Sequence, residues 1–188
     1  MASSRRRPET PRSDFRLGLL HEGGHGVQQN HASANKWFRV AAALGHVDAQ
    51  FRLGITYAMG ETVPQDYAEA ARWLRLAANQ GHAAAQSTLA YCYANGLGIP
   101  QDHAEARQWY HLAADNGDDD AQNTLGDIYA LGLGVPKDFV SAYLWFSLAA
   151  AQGHKRAVRN RYELSGVMTP AQIAEARRLV RERRRTKQ

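Results

Sequence analysis

The sequence predicts an all-α protein, a solenoid of helix pairs closed by a C-terminal capping helix. Three observations carry this prediction. The four tryptophans, Trp37, Trp73, Trp109 and Trp145, stand 36 residues apart. The glycines Gly45, Gly81, Gly117 and Gly153 keep the same step, as do Gly24, Gly60, Gly96 and Gly132, and the leucines Leu17, Leu53, Leu89 and Leu125. Inside each copy, apolar residues twice follow helical spacing, separated by a loop punctuated with Gly and Pro. Four copies run without an insertion or deletion, so each repeat is one structural unit and the core is built between units.

In chain order, residues 1–12 hold four Arg, two Pro and one Glu with no apolar run, and read as a disordered basic tail. The repeats occupy 13–157, in units of about 13–48, 49–84, 85–120 and 121–156. In the second unit, residues 49–60 form helix A, packing through Ala49, Leu53 and Tyr57 with Gly54 beside them. A mid-helix glycine costs about 1 kcal/mol against alanine. Its recurrence at Gly18, Gly54 and Gly126, with Ala90 in the third copy, implies that two helices approach too closely there for a larger side chain. Residues 67–81 form helix B, with Ala70, Trp73, Leu74, Ala77 and Ala78 on one stripe. Asp66 precedes it as N-cap with Glu69 three residues later, a capping box that Asp102 and Glu105 repeat, and Gly81 ends it in the left-handed conformation.

After the fourth copy, residues 154–164 begin like another helix A, but Arg161 stands where Leu belongs and Ser165 where Tyr belongs. Residues 158–188 then give a capping helix and an arginine-rich tail. Thr169 is its N-cap, Pro170 its first residue and Gln172 its capping-box partner. Ile173, Ala176, Leu179 and Val180 make its apolar stripe.

The motif L-G-x-x-Y, then G-x-G-V-x-x-D, then A-x-x-W-x-x-x-A-A-x-x-G resembles the Sel-one-like repeat, a relative of the tetratricopeptide repeat, over about 13–157. The resemblance implies a right-handed α/α solenoid that serves as a scaffold or adaptor for other proteins. A branch of that family is rich in cysteine and stapled by disulfides. This chain has a single cysteine, Cys92, so nothing proposed for that branch carries over.

The resemblance also implies that the A helices line a concave groove. The A-helix positions facing away from the packing stripe are Phe15, Phe51, Ser87 and Asn123, then Leu19, Ile55, Tyr91 and Asp127, then Gly23, Met59, Asn95 and Leu131, with Arg52 at the edge. Framework positions repeat while these vary. The groove should be apolar at its N-terminal end, through Phe15, Leu19, Phe51, Ile55 and Met59. Toward the other end it should be polar and acidic, with Tyr91 and Asn95 as hydrogen-bonding groups and Asp127 as a charge for a basic side chain. The competing reading buries Phe15, Phe51 and Ile55 within their own repeats.

Residues 21–31, HEGGHGVQQNH, contain the zinc-protease pattern HExxH in His21, Glu22 and His25, with His31 near the place of a third ligand. Such a site needs both histidines on one continuous helical face. Gly23 and Gly24 stand between them and mark a helix end. His21 also occupies the register of Tyr57, Tyr93 and Tyr129, and His31 the first position of helix B. A zinc hydrolase is therefore the remotest reading. His46, His82 and His154 follow helix-ending glycines one repeat or more apart, too far to share an ion, and read as N-caps like Asp118. Cys92 reads as a structural thiol. No metal and no cofactor is expected.

The formal charge of +5 is unevenly spread. Residues 1–12 carry +3 and 154–188 carry +8, which leaves −6 on the body. Arg177, Arg178, Arg181 and Arg184 could hold phosphates, so the alternative function is nucleic-acid or anionic-membrane binding through the termini. Against it stand the acidic body and a tail without aromatics for base stacking. The expected function is a non-catalytic scaffold binding a peptide or protein segment in the groove, with self-association through the first repeat left open. No run of 18 apolar residues exists to span a membrane, and the single cysteine suits a reducing, cytoplasmic setting.

Overall fold

A computed structural model describes residues 10–186, and among them there are ten helices and no strand. In chain order these are α1 (Pro11–Gly23), α2 (His31–Ala43), α3 (Val47–Met59), α4 (Tyr67–Asn79), α5 (Ala83–Asn95), α6 (His103–Asp115), α7 (Asp119–Leu131), α8 (Phe139–Ala151), α9 (Lys155–Ser165) and α10 (Pro170–Arg185). The odd-numbered helices to α9 are A helices and α2, α4, α6 and α8 are B helices. Each B helix packs on its own A helix and on the next one, so the core runs unbroken along the solenoid. The basic segment expected over 1–12 lies outside the described residues up to position 9. Beyond it, Thr10 caps α1 through Ser13 and Pro11 is already helical.

The caps follow from local chemistry. His46, His82 and His154 accept the backbone N–H three residues on through Nδ1, and Asp118 does the same through its carboxylate at 2.7 Å. Asp66 and Asp102 cap α4 and α6, but the expected capping box does not close. Glu69 turns instead to Arg72 and to the Trp73 indole N–H at 2.9 Å, which offers a buried donor a charged acceptor. Thr169 and Gln172 do form the reciprocal box at the start of α10.

The close helix approach at the glycine positions is steric fact. A Cβ on Gly54 would stand 2.7 Å from Leu74, and one on Gly126 would stand 2.4 Å from the Phe146 ring. Between repeats, three buried glutamines act as clamps. Gln50, Gln86 and Gln122 donate to the carbonyls of Ala42, Ala78 and Ala114 at the end of the preceding B helix. Gln80, Asn116 and Gln152 then donate to the glutamine oxygens. Each clamp satisfies polar groups whose burial alone would cost about 1–3 kcal/mol.

The solenoid stops at α9 for a visible reason. Tyr162 occupies the register of Gly18, Gly54 and Gly126, and no B helix can dock at the distance those glycines allow. Its side chain is 80% exposed. The capping helix α10 lies on α8 instead of pairing with α9. Helix α8, FVSAYLWFSLAAA, has no charged residue and is apolar all round, so it needs cover on both sides. Ala176 is fully buried on it, and Ile173 packs beside Phe146 and Tyr143. Arg183 fastens the far end, its guanidinium 4.4 Å from the Trp145 ring centroid and paired with Asp115 at the end of α6.

Candidate functional site

Three helices enclose a groove of about 630 Å³ at the junction of the first two repeats. Its base is Ala34 and Phe38 of α2, both buried. Phe15, Leu19 and Glu22 of α1 form one wall, one residue per turn at i, i+4 and i+7. The other wall is a full stripe of α3: Asp48, Phe51, Arg52, Ile55, Thr56 and Met59. Glu61 and Thr62 close one end from the loop after α3, and His82 closes the other from the cap of α5.

Six of the positions expected in the groove, Phe15, Leu19, Phe51, Arg52, Ile55 and Met59, line this one cavity. The phenylalanines, Leu19 and Ile55 are half-buried, neither lost in the core nor free, and Met59 is 64% exposed. Phe15 stacks on the His46 ring at 4.2 Å and Phe51 on the His82 ring at 4.5 Å. Each aromatic is thus propped by the N-cap of the following A helix, which fixes its orientation without removing its outer face from the groove.

The sequence reading missed what Glu22 and Arg52 do together. The Arg52 Nη1 donates to both Glu22 oxygens, at 2.8 and 2.7 Å, while its guanidinium lies 5.4 Å from the Phe38 centroid and 6.0 Å from that of Phe15. Glu22 is therefore committed to an ion pair across repeats. A signal for it exists in the spacing: Glu22 to Arg52 is 30 residues, the same step that joins Gln50 to Gln80, Gln86 to Asn116 and Gln122 to Gln152.

The zinc pattern is not assembled. Helix α1 ends at Gly23, Gly24 takes a left-handed φ of 69°, and His25 follows outside the helix. Among the described residues no group of three His, Cys, Asp or Glu side chains could hold a metal ion. His31 opens α2, where the register put it. Cys92 is buried, and desolvation pushes its thiol pKa up, away from the reactive thiolate.

Tyr91 and Asn95 lie exposed on α5, outside the cavity, with Asn95 donating to the Tyr91 carbonyl. Asp127 departs from expectation, since its carboxylate is not waiting for a ligand. Arg156 donates to it at 2.9 Å, Asn160 at 3.1 Å and Asn123 at 3.3 Å. Burial raises its pKa despite Arg156. On α10, Arg178 is taken up by Glu175 and Glu182, so it does not belong with the free cations. Arg177, Arg181 and Arg184 are exposed.

The Sel1 repeat family model matches residues 11–46, 47–82, 83–118 and 119–154. The chain is similar to a Sel1 repeat protein of Oxalobacter formigenes, with 36% identity and a TM-score of 0.75 over 79% of this chain and 59% of that one. It is also similar to c5321, a protective antigen of uropathogenic Escherichia coli strains with an SLR fold, with 27% identity and a TM-score of 0.63, over 93% of this chain and 45% of that one. Helicobacter pylori cysteine rich protein B, at 21% identity and a TM-score of 0.53 over 61% of this chain and 90% of that one, shares the fold. The chain thus spans less than two thirds of the first two relatives' length. No curated protein matches it significantly.

Proposed function

The chain belongs to the Sel1 repeat family, and from that premise we propose that it binds a protein or peptide segment in the groove of its first two repeats. Sel1 repeats generally form protein-interaction scaffolds and not catalytic domains. The observation that carries the narrower reading is the groove itself. Phe15, Phe51, Ile55 and Met59 place apolar side chains on an open cavity, at positions where the third repeat has Ser87, Tyr91 and Asn95 and the fourth has Asn123, Asp127 and Leu131. Pre-formed concave sites with apolar floors and a few fixed polar groups are what segment recognition uses. A cytoplasmic, adaptor role belongs to the same proposal; among the described residues no helix is long and apolar enough to cross a membrane.

The test is affinity capture with three proteins: wild type, Phe51→Asp/Ile55→Asp, and Arg177→Glu/Arg181→Glu/Arg184→Glu. Removing α10 outright would uncover apolar α8, so charge reversal is the cleaner change. A partner kept by the wild type and the arginine variant but lost from the groove variant supports the proposal. Retention that ignores the groove, follows the arginines and falls with nuclease or salt supports phosphate binding by α10 in its place.

A further inference from the structure

We infer that the segment this groove accepts is apolar with a Lys or Arg at each flank. The inference rests on the groove reading above and adds the chemistry of the partner. Along α3, Asp48, Phe51, Ile55 and Met59 succeed one another at i, i+3, i+7 and i+11, and Glu61 follows just past the helix. At 1.5 Å per residue, Asp48 and Met59 stand roughly 16 Å apart. An apolar strip of that length therefore carries a carboxylate at each end.

The other charges on the groove are already spent. Glu22 and Arg52 neutralise each other, and Arg52 is further held over Phe38 and Phe15, so it is not free to recruit an acidic partner. Glu61 is exposed and has no ionic partner among the described residues. The Asp48 side chain is 58% exposed, and its ionic neighbour among the described residues is the His82 imidazole at 3.5 Å, itself stacked on Phe51. His31, at the start of α2, is the remaining titratable lining group. The two end carboxylates thus set the sign of the field. They favour cations at the flanks of a bound segment and reject acidic ones, an effect expressed mainly in specificity and association rate.

A phage-displayed library of random twelve-residue peptides tests this against three folded proteins, each checked by circular dichroism and thermal melting. They are wild type, Phe51→Asp/Ile55→Asp, and Asp48→Lys/Glu61→Lys. The expected result is enrichment on wild type of apolar sequences flanked by Lys or Arg, and its loss on the groove variant. Synthetic copies of those peptides should bind the charge-reversed protein roughly tenfold more weakly, with the difference shrinking at high salt. Groove-dependent enrichment of neutral or acid-flanked sequences overturns the charge assignment and leaves the groove reading standing. Sequences retained equally by the groove variant overturn both.

Discussion

The first two repeats and the last two carry the same framework and treat the same face in opposite ways. At the position of Phe15 and Phe51, the third and fourth copies have Ser87 and Asn123. At the position of Leu19 and Ile55, they have Tyr91 and Asp127. The early pair leaves an apolar cavity. In the late pair the same face of α7 is instead tied to α9, as Asn123 and Asp127 bond to each other and to Arg156 and Asn160. Polar side chains at close quarters find each other, whereas aromatic ones propped on histidine caps cannot satisfy anything by closing up. Binding capacity and internal completion are alternative uses of one surface.

Changes to the shared framework should hit hardest and say nothing about the groove. Gly126→Val would drive a side chain into the buried Phe146 ring, and a loss of about 2–3 kcal/mol is expected in chemical denaturation. An unchanged midpoint would mean the α7–α8 approach is looser than its geometry. Next in size is the self-paired region. Asp127→Ala strips acceptors from Asn123, Asn160 and Arg156, for about 1–2 kcal/mol. Tyr91→Ala, the same register but 55% exposed, should stay within about 0.5 kcal/mol. Asp127→Asn keeps the shape but removes the charge and turns one acceptor into a donor facing another donor, so it should also lose stability, by less than the alanine if acceptor loss dominates. Equal losses from Ala and Asn would mean that the ion pair with Arg156 dominates.

The smallest effect concerns the lock on α10. His111 hydrogen-bonds Tyr129 at 3.1 Å and meets the Trp145 ring edge-on at 5.5 Å. Desolvation is the main cause that lowers its pKa, with Arg183 and Arg107 adding repulsion and Asp115 opposing them. The unfolded chain therefore takes up a proton here before the folded one does. The stability His111 contributes is present above its ordinary value of 6.5 and is lost as pH falls below it toward the folded-state pKa. Replacing His111 with Gln should flatten denaturation midpoints between pH 7 and 5, and an unaltered slope would place the pH dependence elsewhere.

Much of this was legible in single residues. The 36-residue step located nine helices and most of their caps, though not Thr10, Asn30 or Asp138, because capping and helical stripes depend on residues within a few positions of each other. The same logic exposed the zinc pattern as a helix end, since Gly23-Gly24 falls at the repeat position where Gly60, Gly96 and Gly132 end the other A helices. It overreached with the Asp66 and Glu69 box, because Trp73 one turn later competes for the carboxylate. Spacing makes the backbone, Arg72 and Trp73 all possible partners, and side-chain packing decides between them.

By itself, then, the sequence determined the helix pairs, their order, the glycine contacts and which A-helix residues face a common side. Tertiary structure alone decided that Glu22 and Arg52 close on each other, that Asp127 is consumed by Arg156, and that α10 covers α8 instead of extending the solenoid past Tyr162. The physical reason is range. Caps and stripes are fixed by bonds a few residues long, whereas charge pairs 29 to 30 residues apart depend on the angle at which one repeat stacks on the next.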